Sequence, residues 1–85
     1  MKTIIVTGAS GLIGRYLLDN LKEEYLIYAI ARRTMIEANV PYHHNIKWIQ
    51  GDISNKISMY EIGEYILGNG GADYIIHLAA FYDFS

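Results

Sequence analysis

Three glycines at intervals of three residues mark the start of the chain, in Thr7-Gly8-Ala9-Ser10-Gly11-Leu12-Ile13-Gly14. Without a Cβ in the way, an oxyanion can approach backbone N–H groups directly, and a helix beginning at the same point adds the positive end of its dipole. The chemistry this pattern serves is the seating of a diphosphate. In such a site Gly8 makes the tight turn, Ser10 and Gly11 present open backbone beneath the phosphates, and Gly14 lets helix and strand approach closely. The amides of Leu12 and Ile13 are the expected donors. An empty glycine-rich loop is the plainer alternative. No Gly-Lys-Ser or Gly-Lys-Thr closes the loop, so no lysine reaches terminal phosphates and nucleoside triphosphate hydrolysis is disfavoured.

Two further places suit a dinucleotide. A site selective for NAD carries Asp or Glu about 20 residues beyond the glycines to hold the ribose hydroxyls. Here the chain reads Ala31-Arg32-Arg33. Guanidinium groups match a phosphate with paired, charge-assisted hydrogen bonds, which favours NADP over NAD; two solvated arginines at a strand end are the alternative. Further on, Asp52 in Gly51-Asp52-Ile53 stands where its carboxylate can accept from an adenine amino group, or simply serve a turn or cap a helix.

The elements that must position these residues follow from periodicity. Lys2 to Thr7 is short and β-branched, as a buried strand is. From Leu12 the period lengthens: Ile13, Leu17 and Leu21, joined by Leu18 and Tyr25, form the expected inner stripe of a helix. Leu26 to Ala31 reads as a second strand, so strand, helix and strand make a parallel βαβ unit with a right-handed crossover. Thr34 to Asn45, with Pro41, reads as a loop holding at most a helical turn. Ile46 to Gln50 alternates as a third strand would. Ser58 to Leu67 reads as a helix with Met59, Ile62 and Ile66 on one face despite Gly63. Asn69-Gly70-Gly71 breaks it, and Tyr74 to Leu78 is a fourth strand, apolar on both faces.

Read in order, these motifs resemble the extended branch of the short-chain dehydrogenase/reductase superfamily, the NAD(P)-dependent epimerases, dehydratases and reductases. The glycine spacing is that family's Gly-x-x-Gly-x-x-Gly. Gly51-Asp52-Ile53 is similar to its adenine-contact motif, and His77-Leu78-Ala79-Ala80 to its His-Leu-Ala-Ala signature. The resemblance implies an α/β, Rossmann-like parallel sheet in order 3-2-1-4 with flanking helices, residues 1–85 being its N-terminal cofactor-binding part. It implies dinucleotide contacts at Gly8, Ser10, Gly11, Leu12, Ile13, Gly14, Arg32, Arg33, Asp52, Ile53, Leu78, Ala79 and Ala80, where the small alanines clear a flat ring and its ribose. His77, inside an apolar strand, is expected to be a hydrogen-bonded core residue and not a catalyst.

The family's activity is hydride transfer on a nucleotide sugar or related carbonyl or alcohol, with a Tyr-x-x-x-Lys pair as the proton-exchanging machinery. None of the eight tyrosines has Lys four positions on. Tyr82 and Ser85 carry no catalytic assignment, and a chain that stops before its active site is the expectation. A non-enzymatic redox-sensing or regulatory module is the alternative. In either case the fourth strand is left at a sheet edge, and if the chain stands alone either marginal stability or a homodimer across that edge is expected.

Composition bounds the rest. At 85 residues there is room for one domain with a thin core. The absence of cysteine removes disulfides, thiolate metal sites and thiol catalysis, and requires no oxidising compartment. A net charge of −2 lacks the positive field that nucleic-acid or anionic-membrane partners need. The apolar run from Tyr25 to Ala31 is far too short to cross a bilayer, and Thr7, Gly8 and Ser10 interrupt the opening before it forms a signal-peptide core; a cytoplasmic protein is expected. His43-His44 with Glu37 lacks ligand spacing for a metal, and the tyrosines show no interval beyond packing.

Overall fold

A computed structural model describes residues 1–78. Its elements are β1 (Lys2–Thr7), α1 (Leu12–Leu21), β2 (Tyr25–Ala31), β3 (Ile46–Gln50), α2 (Lys56–Gly68) and β4 (Tyr74–His77). The strands form one parallel sheet in the order β3-β2-β1-β4. This is the α/β, Rossmann-like arrangement. Because alternate strand residues point to opposite faces, the sheet builds a core on each side. Ile4, Val6, Ile27 and Ala29 meet Leu18 of α1 on one face, and Tyr28 and Ile30 meet Ile62 and Ile66 of α2 on the other. Among the described residues no helix is long and apolar enough to cross a membrane.

Helix α1 is rotated from the expected stripe. Its buried residues are Gly14 and Leu18, with Leu17 and Leu21 half-buried, while Ile13 is 57% exposed. The cause is Gly14: the point of closest approach has no side chain, so a count of apolar residues misses the position that sets the rotation. Tyr25 belongs to β2, not to the helix. Lys22 closes α1 with its amide on the Leu18 carbonyl at 3.1 Å, and Asn45 Nδ2 donates to the Lys22 carbonyl at 2.7 Å, so the chain turns before Tyr25 and pairs it with Lys2.

Helix α2 begins earlier than its apolar period, because the Asn55 side chain caps it by accepting from the Ser58 amide at 3.0 Å. Ile62 and Ile66 face the sheet as expected; Met59 is exposed. Residues 34–45 form the expected loop with one turn, in which Thr34 and Glu37 exchange hydrogen bonds, Thr34 N–H to Glu37 Oε1 at 2.9 Å and Glu37 N–H to Thr34 Oγ1 at 3.1 Å. Met35 and Val40 from this loop pack on the α1-side core beside Trp48.

Strand β4 is anchored at both ends. The Thr3 amide donates to Asp73 Oδ2 and the Asp73 amide to the Thr3 carbonyl, both at 2.8 Å. At the other end Leu78 N–H reaches the Thr7 carbonyl at 3.2 Å. In its middle Ile76 packs on the α1-side core, while Ile75 on the other face is 67% exposed. His77 is not a core residue: it is exposed, with Nδ1 2.6 Å from Thr7 Oγ1. The strand pattern placed it among apolar neighbours, but it lies at the open carboxyl end of an edge strand.

Candidate functional site

The turn from β1 into α1 is built by its glycines. Gly8 has φ +68°, a conformation that side chains with a Cβ disfavour, and it reverses the chain so that Ala9 is fully buried. The Ala9 amide bonds to the Ile30 carbonyl at the end of β2, and the Gly11 amide to the Gly8 carbonyl, each at 3.2 Å. A Cβ on Gly14 would lie 2.5 Å from the Gly8 oxygen and 2.7 Å from Ala9 Cα. Nothing larger than glycine fits there without displacing the turn.

Helix α1 carries no side-chain cap. Its first backbone bond runs from the Arg15 amide to the Gly11 carbonyl at 2.9 Å. Among the described residues the amides of Leu12, Ile13 and Gly14 have no acceptor. Uncapped first-turn donors at the positive end of a helix have the chemistry to receive an anion.

In front of this turn, across the carboxyl ends of the strands, is a cleft of about 600 Å³. Gly8, Ser10 and Gly11 line it from β1, Arg32 and Arg33 from β2, Gly51, Asp52 and Ile53 from β3, and His77 from β4. The structure thus brings together most of the residues singled out from sequence. Leu12 and Ile13 are exposed and do not line it, and their amides are what they can offer. Gly14 lies beneath the turn, and Leu78 packs into the α1-side core. Ala79 and Ala80, like Tyr82 and Ser85, lie outside the described residues.

Asp52 is engaged in a turn. Its Oδ1 accepts from the Ser54 amide at 2.9 Å and the Ser54 hydroxyl at 2.6 Å. These bonds, with a smaller pull from Arg32, hold its carboxyl below the usual carboxylate range. Oδ2 has no donor among the described residues, so the turn leaves one carboxylate oxygen unengaged. Arg32 and Arg33 are exposed, and neither makes an ion pair among the described residues.

Three contributors were not legible at first. Ser54 and His77 line the cleft; Ser54 could have been found as the second residue after an aspartate, where a side-chain turn forms. The third is a pair on β3: Gln50 Nε2 donates to the Arg32 carbonyl at 2.8 Å and Trp48 Nε1 to the Arg33 carbonyl at 3.0 Å. Elsewhere, Glu37 faces Thr34 and not the histidines. His43 stacks on His44 and lies 3.6 Å from Glu23, and the described residues hold no group of three or more His, Cys, Asp or Glu that could take a metal ion.

A parallel sheet whose first strand turns on glycines into an uncapped helix, facing a cleft at the strand ends, defines a dinucleotide-binding fold. The chain belongs to the NAD dependent epimerase/dehydratase family, whose model matches residues 4–84. It is 34% identical over 80 residues to CDP-abequose synthase of Salmonella typhimurium, covering 93% of this chain and 25% of that protein. Among solved structures it resembles a short chain dehydrogenase from Leptospira borgpetersenii with bound NAD+, at 28% identity and TM-score 0.79 over 89% of this chain and 30% of that one. It also resembles the UDP-N-acetylglucosamine 4-epimerase of Methanobrevibacter ruminantium in complex with UDP-N-acetylmuramic acid, at 27% identity and TM-score 0.70 over 92% of this chain and 24% of the other. The chain therefore spans a quarter to a third of these relatives.

Proposed function

We propose that residues 1–85 are the N-terminal cofactor-binding part of a cytoplasmic NADP-dependent epimerase, dehydratase or reductase acting on a nucleotide sugar. The observation that carries this reading is the uncapped start of α1 over Gly14, where a Cβ would strike the Gly8 oxygen. The residues fit a dinucleotide. The amides of Leu12 and Ile13, with Ser10 and Gly11, would hold the diphosphate, Asp52 and Ile53 the adenine, and Arg32 and Arg33 the 2′-phosphate. By the family resemblance, Leu78, Ala79 and Ala80 would serve the nicotinamide half. When bound, the nicotinamide supplies hydride exchange with a sugar carbon. What this chain contributes is grip and orientation: fixed N–H donors offset the diphosphate charge, and the arginines read the ribose substituent.

The nucleotide-sugar reading is supported by the names of the two sugar-nucleotide relatives, and NADP by the free arginine pair. A second reading is a non-enzymatic dinucleotide sensor, which needs no catalytic dyad. A Tyr-x-x-x-Lys in a longer form of the polypeptide decides for the enzyme.

Calorimetric titration of NADPH and NADH tests the cofactor assignment. Wild-type protein is expected to prefer NADPH, and Ala at both Arg32 and Arg33 to weaken NADPH by tenfold or more, about 1.4 kcal/mol, with NADH little changed. Equal losses for both cofactors contradict it.

A further inference from the structure

Three consecutive carbonyls at the end of β2 are tied to β3. The Ala31 carbonyl accepts from the Gly51 amide at 2.8 Å, the Arg32 carbonyl from Gln50 Nε2 at 2.8 Å, and the Arg33 carbonyl from Trp48 Nε1 at 3.0 Å. The first is a backbone bond that continues the sheet. The other two are made by side chains two residues apart on β3, which point to the same face of the sheet. The next peptide is held as well, because the Thr34 amide donates to Glu37 Oε1. The turn is therefore fixed by its main chain while the guanidinium groups remain free.

An arginine has many rotatable bonds, and ordering it around a phosphate costs side-chain entropy. A pinned main chain removes the backbone share of that cost. We propose that Gln50 and Trp48 are positioning residues for cofactor discrimination: their side-chain N–H groups hold the Arg32-Arg33 backbone so that both guanidinium groups meet one phosphate on the adenosine ribose. This rests on the NADP reading above. Neither side chain lines the cleft. Their effect is confined to the ligand that carries the extra phosphate, because NADH makes no demand on the arginine pair.

The test is calorimetric titration of NADPH and NADH against the full chain and against Gln50→Met and Trp48→Phe, each of which keeps bulk and removes the donor. Each variant is expected to weaken NADPH by about three- to tenfold, in keeping with loss of one hydrogen bond, and to leave NADH within about twofold. Thermal unfolding of the same samples reports whether the fold is intact. Wild-type preference for NADPH that survives in both variants overturns the inference alone. Parallel weakening of NADPH and NADH also overturns it, showing a general structural role. A wild-type protein that binds both nucleotides equally overturns the NADP reading, and the inference falls with it.

Discussion

Thr7 Oγ1 and His77 Nδ1 stand 2.6 Å apart across the ends of β1 and β4. The same hydroxyl oxygen accepts the Leu78 amide at 3.2 Å, so the pairing that leaves no proton without an acceptor has Thr7 donating to Nδ1. His77 is then held with its proton on Nε2, at the edge of the cleft it lines. Long-range nitrogen–proton NMR spectra should show the Nε2–H tautomer in the wild type. Thr7→Val removes the bond and should cost about 1 kcal/mol in urea unfolding, with the two tautomers mixing. A wild-type ring protonated at Nδ1 contradicts this pairing.

Two glycine substitutions should move in opposite directions. Gly14→Ala drives a methyl into the Gly8 carbonyl, which should destabilise by about 1–3 kcal/mol and weaken NADPH at least tenfold, about 1.4 kcal/mol. At Gly63, inside α2, an added Cβ meets nothing within 4 Å. Gly63→Ala should stabilise by about 0.5–1 kcal/mol and leave binding unchanged. Chemical denaturation with calorimetry on both variants checks the contrast.

Asp52 ties one edge of the cleft to pH. The Ser54 hydroxyl and amide favour its charged form and lower its folded-state pKa. A lowered carboxylate contributes stability that is fully present above its unfolded value, about 3.9, and is lost as pH falls through the lower folded value. Ser54→Ala removes the hydroxyl bond, so the Asp52 carboxyl should titrate nearer its ordinary value and the acid-unfolding limb should begin at higher pH. Carbon NMR titration of the side-chain carboxyl measures this directly.

The outer edge of β4 invites a partner strand. Ile75 and Tyr74 are 67% and 50% exposed on a strand paired only with β1 among the described residues. Such an edge favours association, so the isolated chain should show concentration-dependent self-association in sedimentation velocity. Ile75→Lys should suppress it. A monomer at all concentrations with a sharp, high-temperature melt contradicts the expectation.

The strands were readable from the sequence because each is a compact apolar run, while their order in the sheet was implied by the family resemblance. Helix α1 was misread in its rotation, since Gly14 sets the inner face yet adds nothing to an apolar count. His77 was misread because a strand pattern records which residues alternate, not whether the strand sits at an edge. Gln50 and Trp48 act through carbonyls of a neighbouring strand end, a relation that depends on the β2–β3 register and has no signature in spacing. At Asp52 the turn reading is realised on Oδ1, and Oδ2 has no donor among the described residues.

If the first-turn amides of α1 hold the diphosphate, adding NADPH to nitrogen-15-labelled protein should shift the Gly11, Leu12 and Ile13 amide resonances more than any others, and to saturation. Resonances that stay in place at Gly11, Leu12 and Ile13 while others move would contradict a dinucleotide seated on this turn.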